Sequence, residues 1–173
     1  MAQTSELIRQ FQNGDMTGFP SFYDATKKQV YFTALSIVKD RALAEDVMQD
    51  AYVSFLRAID RIDPDRNVAS YLSAAARNLA LNKLKSAQRT VFDDEALATV
   101  AAQPLPDASG VDAILSLLER AEEREIVTYH VILGYKFREI ASIMGAPLGT
   151  VLWRYNKAMH TLREKIGGGR EKR

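Results

Sequence analysis

Apolar residues recur along this chain every three to four positions, the spacing at which side chains line up on one face of an α-helix. Residues 4–13 predict a short amphipathic helix carrying Leu7, Ile8 and Phe11, stopped by Asn13-Gly14-Asp15. Residues 20–38 predict a second, with Phe22, Tyr23, Val30, Ala34, Leu35 and Val38 apolar. Pro20 suits its first turn, where the missing N–H would have had no partner. A third helix over 42–59 gathers Val47, Met48, Ala51, Tyr52, Phe55 and Ile59 on one side. The turn formers Asp63-Pro64-Asp65 then lead into a fourth helix from Val68, on which Val68, Leu72, Ala75, Ala76 and Leu79 share a face.

Residues 92–111 keep no such period; with Pro104, Pro106, Ser109 and Gly110 they fit a flexible linker. Helical spacing resumes at Asp112. Residues 112–134 predict one or two helices closed by Gly134, and 137–144 a short helix with Ile140 and Ile143 inward. Residues 145–149 break it. The last helix, 150–166, turns Val151, Tyr155, Ala158 and Leu162 inward, flanked by Met159 and Ile166. No stretch alternates with the period of two that a strand requires. The expected fold class is all-α: two small helical domains, 1–92 and 112–173, joined by a linker over 93–111.

The polar faces carry the functional signal. On the fourth helix, Asn67, Tyr71, Ala74, Asn78, Asn82, Lys85 and Arg89 share a side, and no carboxylate occurs from Asn67 to Phe92. The formal net charge is only +1, yet the charges are segregated. Acids dominate 40–65 and 93–125, whereas 66–92 and 136–173 are basic, so a neutral chain can offer separate basic surfaces to a polyanion. The third helix shows Asp46, Gln49, Asp50, Val53, Arg57 and Asp60 outward. That face reads either as solvated or as a partner surface, Val53 among the acids being the hint of a partner.

Several classes drop out. There is no cysteine, hence no disulfide and no thiolate site. No apolar run approaches the roughly 20 residues of a membrane span, and no signal-peptide pattern opens the chain, which places it in the cytoplasm. His130 and His160 are the only histidines, and no HExxH, GxSxG or GxxxxGK[ST] occurs. Glu122-Glu123 and Asp93-Asp94-Glu95 read as solvated charge. No catalytic residue, metal site, cofactor or small-molecule substrate is expected, so the chain is not read as an enzyme.

Nucleic acid fits better. Two short helices around a Gly-containing turn, the second with Trp153, Asn156, Lys157, His160 and Arg163 outward, have the helix-turn-helix layout in which that second helix enters the major groove. The loop 60–70 beside Tyr71 and Asn78 offers amides and an aromatic surface to an unstacked base.

The stretch AEDVMQDAYVSFLRAIDRIDPDRNVASYLSAAARNLALNKLKSAQR resembles the second conserved region of bacterial RNA polymerase sigma factors of the extracytoplasmic-function type, in the sigma-70 family. GYKFREIASIMGAPLGTVLWRYNKAMHTLREKI resembles their fourth region. The resemblance implies a dissociable subunit giving core RNA polymerase its promoter specificity. Asp46, Gln49, Asp50, Val53 and Arg57 fall where the family grips the clamp helices of the largest subunit; the flap of the second-largest subunit and an anti-sigma factor are further implied partners. Asp65, Arg66, Asn67, Val68, Ser70 and Tyr71 match the loop that captures a flipped base of the −10 element, with Asn78, Asn82, Lys85 and Arg89 along the adjoining strand. His130, Arg138, Thr150, Leu152, Trp153, Arg154, Asn156, Lys157 and His160 match the −35-reading module.

The chain also departs from the family. Tyr71 stands where tryptophan is common, and Leu152-Trp153 where Lys or Arg then Ser is common. His130 replaces a frequent arginine, and histidine is mostly neutral at pH 7, which weakens any phosphate contact. The alternatives are a sigma-like mimic that sequesters an anti-sigma factor and a plain helix-turn-helix repressor.

Overall fold

The computed structural model describes residues 2–90 and 108–167. Its helices are α1 (Ala2–Gln12), α2 (Phe19–Val38), α3 (Arg41–Arg57), α4 (Val68–Thr90), α5 (Ala108–Ser116), α6 (Ala121–Val127), α7 (Phe137–Met144) and α8 (Leu148–Gly167). A 3₁₀ turn at Ile59–Arg61 follows α3, and α6 runs on into a π-helical turn at Thr128–Ile132. No strand occurs among the described residues. The expected linker falls almost wholly outside them.

Local chemistry sets the ends. Asp40 accepts a hydrogen bond from the Leu43 N–H at 2.8 Å and starts α3. Asn67 does the same for α4, its Oδ1 accepting from the Ser70 N–H at 3.1 Å. Gly145 closes α7 at φ +60, a conformation that costs glycine nothing. Helix α5 begins at Ala108, ahead of the expected start at Asp112, and α8 begins at Leu148, ahead of Thr150. Pro147 explains the second difference: it needs no donor of its own, and its carbonyl accepts from the Val151 N–H at 3.1 Å.

In the N-terminal lobe, α1 to α4 close over Ile8, Phe11, Phe22, Val30, Val47, Phe55, Leu72 and Ala76, all buried. Phe22 and Phe55 stack with centroids 5.2 Å apart. The C-terminal lobe holds two smaller clusters, Leu115, Leu118, Val127, Ala158 and Leu162 in one, and Ile126, Tyr129, Tyr135, Ile140 and Val151 in the other. The lobes are in contact: α6 and the π-turn pack on α2, and α7 packs on α4.

The join is polar. Arg77 on α4 donates from Nε to Glu125 Oε2 on α6 at 2.5 Å, with the Glu125 side chain only 1% exposed. The hydroxyls of Ser73 and Tyr135 lie 3.2 Å apart, and Gln29 donates to Ser73 Oγ at 2.8 Å. Arg124 is buried against the end of α2. Thr33, Thr128 and the Tyr129 hydroxyl are buried at the same join without a hydrogen bond of good geometry. Burial raises the pKa values of Tyr135, Tyr129 and Glu125 and lowers that of Arg124, because a dry seam disfavours every charged form. The acids at 122–125 are therefore not a solvated face: Glu123 and Glu125 are both buried.

Candidate nucleic-acid interface

Asn67, Tyr71, Asn78, Asn82 and Lys85 stand exposed in a row along α4, with Ala74 half-buried among them. The row exists because Leu72, Ala76 and Ala80 on the opposite side are driven into the core. Tyr71 is 39% exposed while its ring leans on Phe55, centroids 6.4 Å apart, so the core fixes an aromatic plate that still faces solvent. Ser54, Tyr71, Ala74, Asn78 and Asn82 line a groove of about 330 Å³. The side chain of Arg89 lies outside the described residues.

The loop before α4 is braced. Both carboxylate oxygens of Asp65 accept from Arg9 Nη2, at 2.9 and 3.1 Å, which ties the loop to α1. The Asp63 carboxylate accepts from the Asp65 N–H at 3.0 Å and lies 3.6 Å from Arg66 Nε. Since Asn67 commits its side-chain oxygen to the cap, the amide nitrogen is its remaining donor. One expectation changes here. Val68 is 3% exposed, so its side chain belongs to the core and only its backbone can meet a ligand.

A cleft of about 980 Å³ opens at this loop, lined by Arg61, Asp63, Arg66, Asn67, Ser70 and Tyr71. Its far wall is α7, through Glu139, Ser142 and Ile143. On the other side of the lobe, Asp46, Gln49, Asp50, Val53 and Arg57 form an exposed strip of α3, with Val53 46% exposed. Lys83 reaches into the strip from α4, 3.2 Å from Asp50 and 3.7 Å from Asp46.

In the C-terminal lobe, α8 buries Val151, Ala158 and Leu162 and presents Leu152, Trp153, Asn156, Lys157 and His160 to solvent. Thr150 and Arg154 are half-buried, and Arg138 on α7 is exposed. Trp153 is 59% exposed, with the Lys157 ammonium 5.4 Å from its ring centre. Lys157 also lies 3.6 Å from the buried carboxylate of Glu123, which gives it a role inside the lobe. His160 faces Glu164 at 3.4 Å.

His130 is placed differently from its expected reach toward phosphate. Its ring stacks on Phe137, centroids 4.1 Å apart, meets Tyr155 edge-on at 5.1 Å, and sets Nδ1 2.9 Å from the Tyr135 carbonyl. That carbonyl can only accept, so Nδ1 donates the hydrogen and is not available to a phosphate. Ile166, expected at the flank of the core, is 55% exposed. With Ile114, Val127, Val131, Met159 and Leu162 it lines an apolar groove of about 430 Å³.

Among the described residues no helix is long and apolar enough to cross a membrane, and no group of acids and histidines is arranged to hold a metal ion. The residues sequence reasoning missed are those of the seam, Ser73, Arg77, Arg124, Glu125 and Tyr135. They follow no motif, and each is recognisable only by a partner distant in sequence.

The family described as sigma-70 region 2 matches residues 22–90. The ECF RNA polymerase sigma factor SigK of Mycolicibacterium vanbaalenii is 24% identical over 177 residues, covering 96% of this chain and 90% of that protein. The ECF RNA polymerase sigma factor SigW of Bacillus subtilis is 26% identical over 178 residues, with 92% and 94% covered. The sigma factor RpoE of Bartonella quintana, solved in complex with the anti-sigma factor NepR, shares the fold with a TM-score of 0.73 and 22% identity over 90% of this chain and 98% of that one.

Proposed function

We propose that this chain is a sigma factor of the extracytoplasmic-function type, in the sigma-70 family, and that its surfaces share the work of promoter-specific transcription initiation. The carrying observation is the exposed Asn67–Tyr71–Asn78–Asn82–Lys85 row on α4, above a braced loop and free of carboxylates.

In this reading α4 takes the −10 element. Phosphates along the strand meet Lys85 and Arg89, which gives affinity without choice of sequence. Choice comes from the loop: a base swung out of the stack enters the cleft, lies against Tyr71, and pairs its edge with the Asn67 amide and the polar groups of Arg66 and Ser70. Asn78 reads the upstream end. The α7–α8 pair takes the −35 element, with Asn156 and Arg138 placed for base edges or backbone and Lys157 for phosphate. Leu152 and Trp153 offer apolar surface to a thymine methyl rather than a cation to a guanine. His130 acts through packing, orienting α7 against α8.

Core RNA polymerase is the protein partner. Its clamp helices in the largest subunit meet the α3 strip of Asp46, Gln49, Asp50, Val53 and Arg57, and the flap of the second-largest subunit meets the apolar groove around Val131 and Ile166. An anti-sigma factor is a further partner, and the site of action is the cytoplasm. The chain does no covalent chemistry of its own; polymerase supplies that.

Run-off transcription with purified core polymerase, this chain and a randomised promoter library tests the reading. Enrichment of paired −35 and −10 sequences at fixed spacing is expected. No initiation from any template would overturn it.

A further inference from the structure

Helix α1 is fastened to the loop before α4 at more points than its own packing requires. Ile8 and Phe11 are buried, and the Phe11 ring meets Phe19 and Phe22 edge-on at 6.0 and 5.6 Å. Arg9 and Gln12 each follow one position later, so they share a neighbouring stripe of the helix. Gln12 Nε2 donates to the Ile59 carbonyl at 3.0 Å and to the Ile62 carbonyl at 2.8 Å, where the chain enters the loop. Both hydrogens of that amide are thereby used. Arg9 Nη2 holds the Asp65 carboxylate in the middle, at 2.9 and 3.1 Å. At the exit Asn67 caps α4.

The loop has little else to fix it. Ile62 and Val68 are buried at its two ends, whereas Asp63, Asp65, Arg66 and Asn67 between them are exposed. An ion pair whose side chains are 49% and 71% accessible adds little to folding. Its effect falls on the loop instead. A tether from a helix locked into the core, made to a segment without packing of its own, selects one loop conformer among many. In that conformer Asp63, Arg66, Asn67, Ser70 and Tyr71 line one cleft. Asp65 is not among the described residues that line it, and both its oxygens face Arg9.

We propose that Arg9 and Asp65 are positioning residues for base selection: Asp65 reads no base itself, and through Arg9 it ties the capturing loop to α1, so that the N-terminal helix sets how sharply the flipped base is chosen. This rests on the assignment of the loop to that base. Without the tether the loop spends part of its time in conformers that do not fit, and apparent affinity falls with the competent fraction. The loss is confined to one promoter position, because Asn78 and the α7–α8 pair stand on helices that the tether does not touch.

Run-off transcription from a randomised promoter library, with the full-length chain and purified core polymerase, gives the preference at every −10 and −35 position. R9A is expected to flatten the preference at the flipped-base position by roughly threefold to fivefold, the upper range for an exposed pair. The other positions, the melting temperature and competition for core polymerase stay as in the parent. D65A gives the same loss, and R9A/D65A loses no more than either single variant. The charge swap R9D/D65R restores the preference. An unchanged preference in R9A, a loss spread over every position, or a swap that restores nothing each overturns the proposal. A new favoured base in D65A but not in R9A does so as well, since Asp65 would then be a reader. A parent without any preference at the flipped-base position would sink the loop assignment itself, and the proposal with it.

Discussion

Arg124 Nε donates to the backbone carbonyl of Ser36 at 2.8 Å, so a residue of α6 closes the last turn of α2, 88 positions earlier in the chain. The same guanidinium donates from Nη1 to the carbonyls of Leu118 and Glu119, each at 2.8 Å. One planar cation therefore satisfies carbonyls from both lobes; burial lowers its pKa, and Glu125, Glu122 and Glu123 beside it offset only part of that.

Removing that cation strands buried acceptors. Arg124→Ala is expected to destabilise the full chain by about 3 kcal/mol, the cost of losing hydrogen bonds from a charged donor while leaving carbonyls dry. Arg124→Lys recovers only part, since an ammonium cannot span the same fork. Urea unfolding of the three proteins checks this; equal stability of the alanine variant would refute it.

Asn67 has two duties that substitution can separate. Asn67→Ala is expected to lose the cap of α4, about 1 kcal/mol, together with −10 recognition. Asn67→Asp keeps an accepting oxygen for the Ser70 N–H but has no amide donor. Its thermal stability should match the parent while promoter melting, followed by permanganate footprinting, still falls.

Two surfaces of the N-terminal lobe predict opposite phenotypes. Asn78→Ala is expected to weaken −10-dependent opening by about 1–3 kcal/mol and leave competition for core polymerase intact. Asp50→Arg should lose core binding, because it sets a cation beside Lys83 in the strip proposed to meet the clamp helices. Competition against a labelled sigma factor measures both, and parallel losses in the two variants would contradict the division.

Lys157 has a structural partner as well as its proposed phosphate contact. Lys157→Ala should weaken binding evenly over −35 sequences and lower the salt slope by roughly one. It should also soften the C-terminal lobe, since Glu123 loses the ammonium 3.6 Å away. Adding Glu123→Gln is expected to restore the melting temperature but not the salt slope, whereas joint recovery would rule out the phosphate role.

Acid should firm the seam. Burial raises the Glu125 pKa above the ordinary glutamate range, although Arg77 and Arg124 pull it down, and Glu122 adds to the rise. The folded chain therefore holds this proton more tightly than the unfolded chain does, and the stability it contributes is fully present below the ordinary value and lost as pH rises through the raised one. Tyr129, the other titratable group against this carboxylate, stays neutral throughout because burial raises its pKa too. Urea unfolding of the parent should show stability falling from pH 4 toward 7, and Glu125→Gln should flatten that dependence; an identical curve for both proteins would count against it.

The helical faces were legible because burial follows period wherever a helix meets its own lobe. Helix α7 starts and ends where the spacing and Gly145 put it, and Val47, Phe55, Leu72, Val151 and Leu162 face inward as their positions require. Val68 was misjudged because a loop residue matched to a motif is still subject to packing, and a valine at the first turn of α4 is worth more to the core than to a ligand. The seam was illegible for a different reason. A helical wheel ranks Ser73, Arg77 and Glu125 by polarity and so assigns them to water, yet each is covered by a residue from the other lobe. Pairing across 48 positions has no period to betray it.

The π-helical turn at 128–132 adds a residue to the winding between α6 and α7. Because of it, the Tyr135 N–H reaches back to the Tyr129 carbonyl at 2.8 Å and the two rings meet edge-on, fastening the lobe's inner corner. Excising one position there would rewind the segment by about 100° and swing α7 and α8 as a unit. The pitch at which Trp153 and Asn156 would approach a duplex in the proposed reading is thus tuned by the length of this corner.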